Sequence, residues 1–140
     1  MKAFLSGEIK AAADLMDPRT LERIRQSFLS ELVNVGDADS EKAILANVGL
    51  ARSTAELSTV DAKTLFIAIT ESDRRRNPQV SEAMKRAHVD VLGSAASPSG
   101  GVVVRFRITT PTATGTSSQD SALLMRQVLG DWKVVGNVSP

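Results

Sequence analysis

Cysteine and tyrosine are both absent from this chain of 140 residues, which contains one histidine and one tryptophan. The lack of cysteine excludes disulfides, thiol catalysis and clusters or zinc ions held by thiolates. One histidine with scattered carboxylates gives no ligand spacing, so we predict no metal site. No glycine-rich nucleotide motif occurs either, and we predict no cofactor. Any mechanism that needs an imidazole must therefore use His88.

Excess charge of one sign is also missing, since 17 basic and 16 acidic residues give a formal net charge of +1. Affinity for nucleic acid depends largely on phosphate neutralisation, and aromatic residues that could stack on bases make up only 4% of the chain. The run Arg74–Arg76 is too short for a polyanion site and is typical of a helix C-terminus. A nucleic-acid binder built on this run with Arg105 and Arg107 would bind in a strongly salt-dependent way. The near-neutral charge argues against it, and we expect no nucleic-acid partner.

No apolar run approaches the roughly 20 residues needed to span a bilayer, so we predict no membrane span. Residues 1–16 lack the apolar core of a signal peptide. The composition leaves the compartment open: a cytoplasmic protein and an exported one whose signal has been removed both fit it.

The length and the 42% hydrophobic content predict a single domain covering residues 1–140. We expect a helical part over about residues 1–86 and a sheet part over about residues 87–136. The fold class is therefore α+β, with the N-terminal helices packed on one face of a four-stranded antiparallel meander.

The clearest strand signal is the segment 102–110, which is rich in β-branched residues. Side chains two apart along a strand share a face. One face therefore carries Val102, Val104, Phe106 and Ile108, and the other carries Val103, Arg105, Arg107 and Thr109. An apolar face opposite a mixed, basic face is typical of an antiparallel sheet that helices cover on one side.

Three further strands are predicted at residues 87–95, 119–129 and 132–135. Turn-forming residues occupy segments 97–101 and 111–118, and Gly130-Asp131 is a tight link between the last two strands. Gly100-Gly101, the only glycine pair, indicates a hairpin turn rather than a phosphate cradle.

Helical spacing dominates the first half of the chain. Residues 1–16 predict helix, with a break at Gly7. Asp17-Pro18 is a typical helix start, and Gly36 should end that helix. A further helix, capped by Ser40, should end before Gly49.

The next helix should run from Val60 to Asp73 with Ser58 or Thr59 as its cap. Its continuous apolar run also permits a buried strand over residues 64–70, an alternative that the capping signal disfavours. Asn77-Pro78 should start the last, short helix.

His88 and Asp90 are the weak catalytic candidates. On a strand they share a face, and a carboxylate two residues away could orient the ring of a general base. The alternative is a surface pair that bonds across the strands to Arg105 or Arg107.

Trp132 is predicted to anchor the core, because burial of an indole stabilises a fold strongly. The strand over residues 119–129 is apolar on both of its faces. This pattern indicates that a partner subunit or a loop covers its outer face.

The order of helices and strands resembles the nuclear transport factor 2-like superfamily. Residues 130–134, Gly-Asp-Trp-Lys-Val, are similar to the terminal hairpin of many bacterial members, and residues 4–15 are similar to the opening helices. The resemblance implies a curved sheet, a cone-shaped domain with a pocket, and a homodimer through the outer face of the sheet. Ketosteroid isomerase-like members use acidic residues and a tyrosine, so their catalytic set does not transfer to a chain without tyrosine.

The leading hypothesis is a non-enzymatic module that binds a partner protein or a small apolar ligand and self-associates through the sheet. The ligand or interface residues would be Arg105, Arg107, Met125 and Gln127. The alternative is a small isomerase or dehydratase in which His88 and Asp90 react inside a concave cavity.

Overall fold

The computed structural model describes residues 8–139. These residues form six helices and one four-stranded antiparallel sheet, so the predicted α+β class is confirmed. The chain divides into two compact units, which are treated separately below. The sheet unit is Met1–Asp17 with Pro78–Pro140, and the helical unit is Pro18–Asn77. The single-domain assignment stays a prediction, and the expected helix break at Gly7 lies outside the described residues.

The helical unit contains four helices: α2 (Pro18–Asn34), α3 (Ala38–Val48), α4 (Thr54–Leu57) and α5 (Ala62–Arg76). The helix start at Pro18 is confirmed, as is the helix rather than the strand over residues 64–70. The short α4 was not expected, because four residues show no helical period.

Side-chain caps fix where these helices begin. Asp37 accepts from Ser40 N at 2.7 Å and Asp61 accepts from Thr64 N at 2.9 Å, so the predicted caps Ser40, Ser58 and Thr59 were wrong. In both helices an aspartate two or three residues away takes the cap, since its carboxylate satisfies a free amide of the first turn.

The helical unit has its own apolar core. The buried members come from all four helices: Leu32, Leu45, Val48, Leu57, Leu65 and Ala68. Leu57 and Leu65 are fully buried. Because α4 contributes Leu57, its single turn has a packing role that its length does not suggest.

The sheet unit contains helices α1 (Ile9–Leu15) and α6 (Pro78–Lys85) and four strands. The strands are β1 (His88–Ala96), β2 (Val102–Thr112), β3 (Gly115–Val128) and β4 (Asp131–Val138), in the order β1-β2-β3-β4. The predicted meander is therefore confirmed. Helix α1 contacts β4 and α6 contacts β2, so both helices pack against the sheet.

The β2–β3 hairpin is longer than expected. We predicted a loop over residues 111–118, but pairing continues to Thr112 opposite Gly115. Threonine favours strands, and hydrogen bonds to the paired strand offset the turn preference of the glycine, serine and proline residues in this segment. Strand β4 likewise extends to Val138, three residues beyond the prediction.

The predicted alternation of β2 is clear only around Phe106, since Val103 and Thr109 on the opposite face are half-buried as well. Phe106 is buried, Val102, Val104 and Ile108 are half-buried, and Arg105 and Arg107 are exposed. The opposite face is also partly covered. Ala122 of β3, the register partner of Arg105, is fully buried there.

The two edges of the sheet differ. At β4, Met16 forms a parallel bridge with Val134, and Asp17 N donates to Val134 O at 2.8 Å. At the other edge, β1 has β2 as its neighbour in the sheet and is mostly exposed. A bulge between Val91 and Gly93 shifts the β1 register at that point.

Candidate functional site

The two catalytic candidates lie on the surface of β1. His88 Nε2 is 3.0 Å from Asp90 Oδ1, and the side chains are 75% and 56% exposed. His88 and Asp90 therefore form the predicted hydrogen bond, but both side chains are exposed to solvent. An acid/base enzyme would need both groups in a concave cavity that excludes water. No observation on β1 favours the isomerase or dehydratase alternative.

The arginine next to this pair bonds elsewhere. Arg107 faces Asp90 in the β1–β2 register, yet its Nε and Nη2 donate to Asp120 at 2.6 Å and 2.9 Å. These hydrogen bonds lower the pKa of Asp120 and raise the pKa of Arg107. The expected pairing of Asp90 with an arginine is replaced by a cross-strand pair that connects β2 to β3.

The four predicted ligand or interface residues do not come together. The register of β2 and β3 is regular, and it pairs Arg105 with Ala122 and Val102 with Met125. Because paired residues share a face, Arg105 and Arg107 lie on one face of the sheet. Met125 and Gln127 lie on the other, so the four residues cannot line one site.

A pocket of about 430 Å³ lies where the β1–β2 turn meets the β3–β4 hairpin. Its lining residues are Ser99, Gly100, Gly101, Arg126, Gln127 and Trp132. Of the four predicted residues, only Gln127 is among them. Gln127 and Trp132 are register partners and therefore share a face of the sheet.

The prediction that Trp132 anchors the core was wrong, because its side chain is 44% exposed. The core position on β4 belongs to Val134, which is 6% exposed and itself forms the bridge to Met16. Trp132 lies near the hairpin end of β4. It lines the pocket there instead of packing in the core.

The turn that forms one wall is tightly built. Ser97 N donates to Gly101 O and Gly100 N donates to Ser97 O, both at 3.0 Å. Gly101 has φ +90°, and a Cβ there would lie 2.2 Å from Met125 O. Only glycine allows this close approach of the turn to β3. The sequence showed the glycine pair as a turn, but not its contact with residue 125.

A second pocket, of about 360 Å³, lies within the helical unit. It is lined by Leu32, Val33, Gly36, Asp37, Ala38, Glu41 and Thr54. Its polar groups have structural partners: Asp37 caps α3, and Thr54 Oγ1 donates to Glu41 Oε1 at 2.5 Å. The pocket is therefore a weaker candidate for a ligand.

The arginine run occupies the place predicted for it. Arg74–Arg76 form the last turn of α5, and Arg75 Nη2 donates to Asn47 O at 2.9 Å. Positive charge is favourable at this end of a helix dipole. The run therefore has a structural role within the helical unit.

Nowhere in residues 8–139 do three or more acidic or histidine side chains gather in a way that would hold a metal ion. No helix in that range has the length and apolarity needed to cross a bilayer. Comparison of the chain with protein-family models, curated proteins and solved structures finds no match.

Proposed function

We propose that this chain is a non-catalytic binding module of the nuclear transport factor 2-like kind. It binds a small ligand with a flat apolar part in the pocket beside Trp132, and copies of it associate through the sheet. Helices followed by a four-stranded antiparallel meander support the assignment to the superfamily. The exposed tryptophan at a pocket is the observation that carries the ligand proposal.

Full burial of a large apolar side chain contributes roughly 1.5–3 kcal/mol, and Trp132, at 44% exposed, keeps only part of that stabilisation. An indole at the rim of a pocket provides a flat surface on which a ring can stack.

Polar recognition comes from the neighbouring groups. The Gln127 amide, directly opposite Trp132 in the register, offers both a donor and an acceptor. The backbone of Gly100 and Gly101 forms the facing wall without side chains that would fill the space. A small neutral molecule with one flat apolar side and a hydrogen-bonding edge fits this combination.

The neutral dye N-phenyl-1-naphthylamine tests the proposal, because its emission rises in an apolar site. Trp132 is the only tryptophan and tyrosine is absent, so protein emission reports on the pocket directly. We expect saturable binding, with a dissociation constant on the order of 10 μM, and energy transfer from Trp132 to the dye.

Trp132→Ala should abolish the rise in dye emission, whereas Val80→Ala should leave it unchanged. Val80 is 62% exposed and lies on α6, so it controls for the loss of an exposed apolar side chain. Equal binding by wild type and Trp132→Ala would refute this site.

A further inference from the structure

A charged side chain contributes to the wall of the pocket beside Trp132. Arg126 of β3 is one of the lining residues, and its side chain is 35% exposed. A guanidinium stays protonated at neutral pH. An isolated cation at this position would attract anions to the pocket.

The positive charge of Arg126 is matched from inside the protein. Arg126 Nε donates to Asp17 Oδ2, and the Asp17 side chain is only 1% exposed. The hydrogen bond to Asp17 and its opposite charge raise the pKa of Arg126. Asp17 is too deeply buried to contact a ligand, but its charge lies against a guanidinium that lines the pocket.

The charged residues beside the tryptophan also balance. Asp131 and Lys133 flank Trp132 on β4 and carry opposite charges. With Asp17 and Arg126 they make two acidic and two basic groups, so the four have no net charge. Arg126 adds no net attraction for anions only because Asp17 accompanies it.

We propose that Asp17 determines the charge preference of this pocket, favouring an uncharged ligand over an anionic ligand of the same shape by neutralising Arg126. This inference rests on the proposed function and deepens it. It assigns the preference for a neutral ligand to a residue that the ligand does not touch. Without the carboxylate, the pocket would have one uncompensated positive charge and would bind anions more tightly.

A purely structural role for the ion pair predicts a different result. Loss of the pair would then loosen the pocket and weaken the binding of neutral and anionic ligands alike. Electrostatic selection instead predicts opposite effects of removing the carboxylate and of removing the guanidinium. The relative affinity for two ligands of one skeleton but different charge separates these roles.

Two dyes form such a pair. N-phenyl-1-naphthylamine is neutral, and 8-anilinonaphthalene-1-sulfonate has the same ring skeleton with one added sulfonate. For each protein the measured ratio is the dissociation constant of the anionic dye divided by that of the neutral dye. Comparing this ratio between variants removes the contribution of the size and hydration of the sulfonate.

Asp17→Asn keeps the shape of the side chain and removes its charge. It should lower the ratio about fivefold, the effect of one unit charge about 8 Å away at an effective dielectric constant of about 40. Arg126→Gln should raise the ratio by a similar factor, because it leaves the carboxylate without its cation.

Asp120→Asn is the matched control, since it changes the net charge of the chain equally. Asp120 pairs with Arg107 on the surface of the sheet. It lies about 20 Å from Arg126 along β3, at about 3.3 Å per residue, which exceeds the screening length of about 10 Å at 0.1 M salt. The ratio should therefore be unchanged in Asp120→Asn.

Salt dependence tests wild type without any substitution. With the cation neutralised, the ratio should change less than about twofold between about 0.05 M and about 0.5 M NaCl. A ratio that rises strongly with salt would reveal an uncompensated cation and overturn the proposal, even if neither variant folds.

A ratio that is unchanged in both variants, or shifted in the same direction, would also overturn it. The proposed function would survive that result as long as Trp132→Ala still abolishes binding of the neutral dye. If wild type does not bind the neutral dye, the proposed function fails, and the charge preference fails with it.

Discussion

Asp17 and Arg126 form an ion pair between residues that lie 109 positions apart in the chain. The carboxylate is 1% exposed and the guanidinium is 35% exposed. The hydrogen bond to Asp17 raises the pKa of Arg126. Lys133 Nζ adds a bond to Asp14 O at 2.8 Å. Together with the bridge at Met16, these contacts hold the end of α1 and the two residues after it against β3 and β4.

Removal of either partner should destabilise the sheet unit, but by different amounts. Asp17→Asn keeps a neutral acceptor and should lower the free energy of unfolding by about 1–2 kcal/mol. Arg126→Met should cost more, because it removes the guanidinium that bonds a carboxylate only 1% exposed. Urea denaturation of the two variants measures which substitution lowers the free energy of unfolding more. A larger loss for Asp17→Asn would contradict it.

Gly101→Ala should destabilise far more than Gly100→Ala. Both glycines have positive φ, +90° and +87°, so alanine costs about 1–2 kcal/mol at either position. Only at Gly101 does the added Cβ meet backbone, at 2.2 Å from Met125 O, whereas nothing lies within 4 Å at Gly100. We expect about 2–4 kcal/mol for Gly101→Ala. Thermal unfolding compares the pair, and similar melting temperatures would show that the turn does not approach β3 so closely.

Leu129→Asn should stabilise the protein. Leu129 lies in the β3–β4 turn with φ +53°, and its side chain is 103% exposed, so no packing is lost. Asparagine tolerates this backbone region better than leucine does. The expected gain is about 0.5–1 kcal/mol in the free energy of unfolding. Gly130→Ala, in the same turn at φ +92°, should move stability in the opposite direction.

Asp61→Asn should weaken the acid sensitivity of the helical unit. Hydrogen bonds from the Thr64 side chain and amide hold the pKa of Asp61 below its ordinary value. The folded state therefore favours the ionised form, and this contribution is present above pH 3.8 and lost as pH falls through the folded value. Asparagine still caps the helix but does not titrate. Helicity followed through an acid titration should fall less below pH 3.8 in the variant.

Much of the local structure follows from the sequence alone. The period of β2 identifies its buried face, and Asp17-Pro18 marks a helix start, because these features depend on near neighbours in the chain. The caps Asp37 and Asp61 were missed since several polar residues compete at each helix start. The loop predicted over residues 111–118 was wrong because hydrogen bonds from a paired strand outweigh turn propensity.

Tertiary structure alone decided the candidate site. Trp132, Gln127 and the turn at Gly100–Gly101 meet through the register of β2, β3 and β4, which no local pattern specifies. The same register separates Arg105 from Met125, since a shift of one residue moves a side chain to the opposite face. Sequence determined which segments become helix or strand in this protein. Pairing between distant strands determined which side chains share a surface, because that depends on contacts the chain makes only once folded.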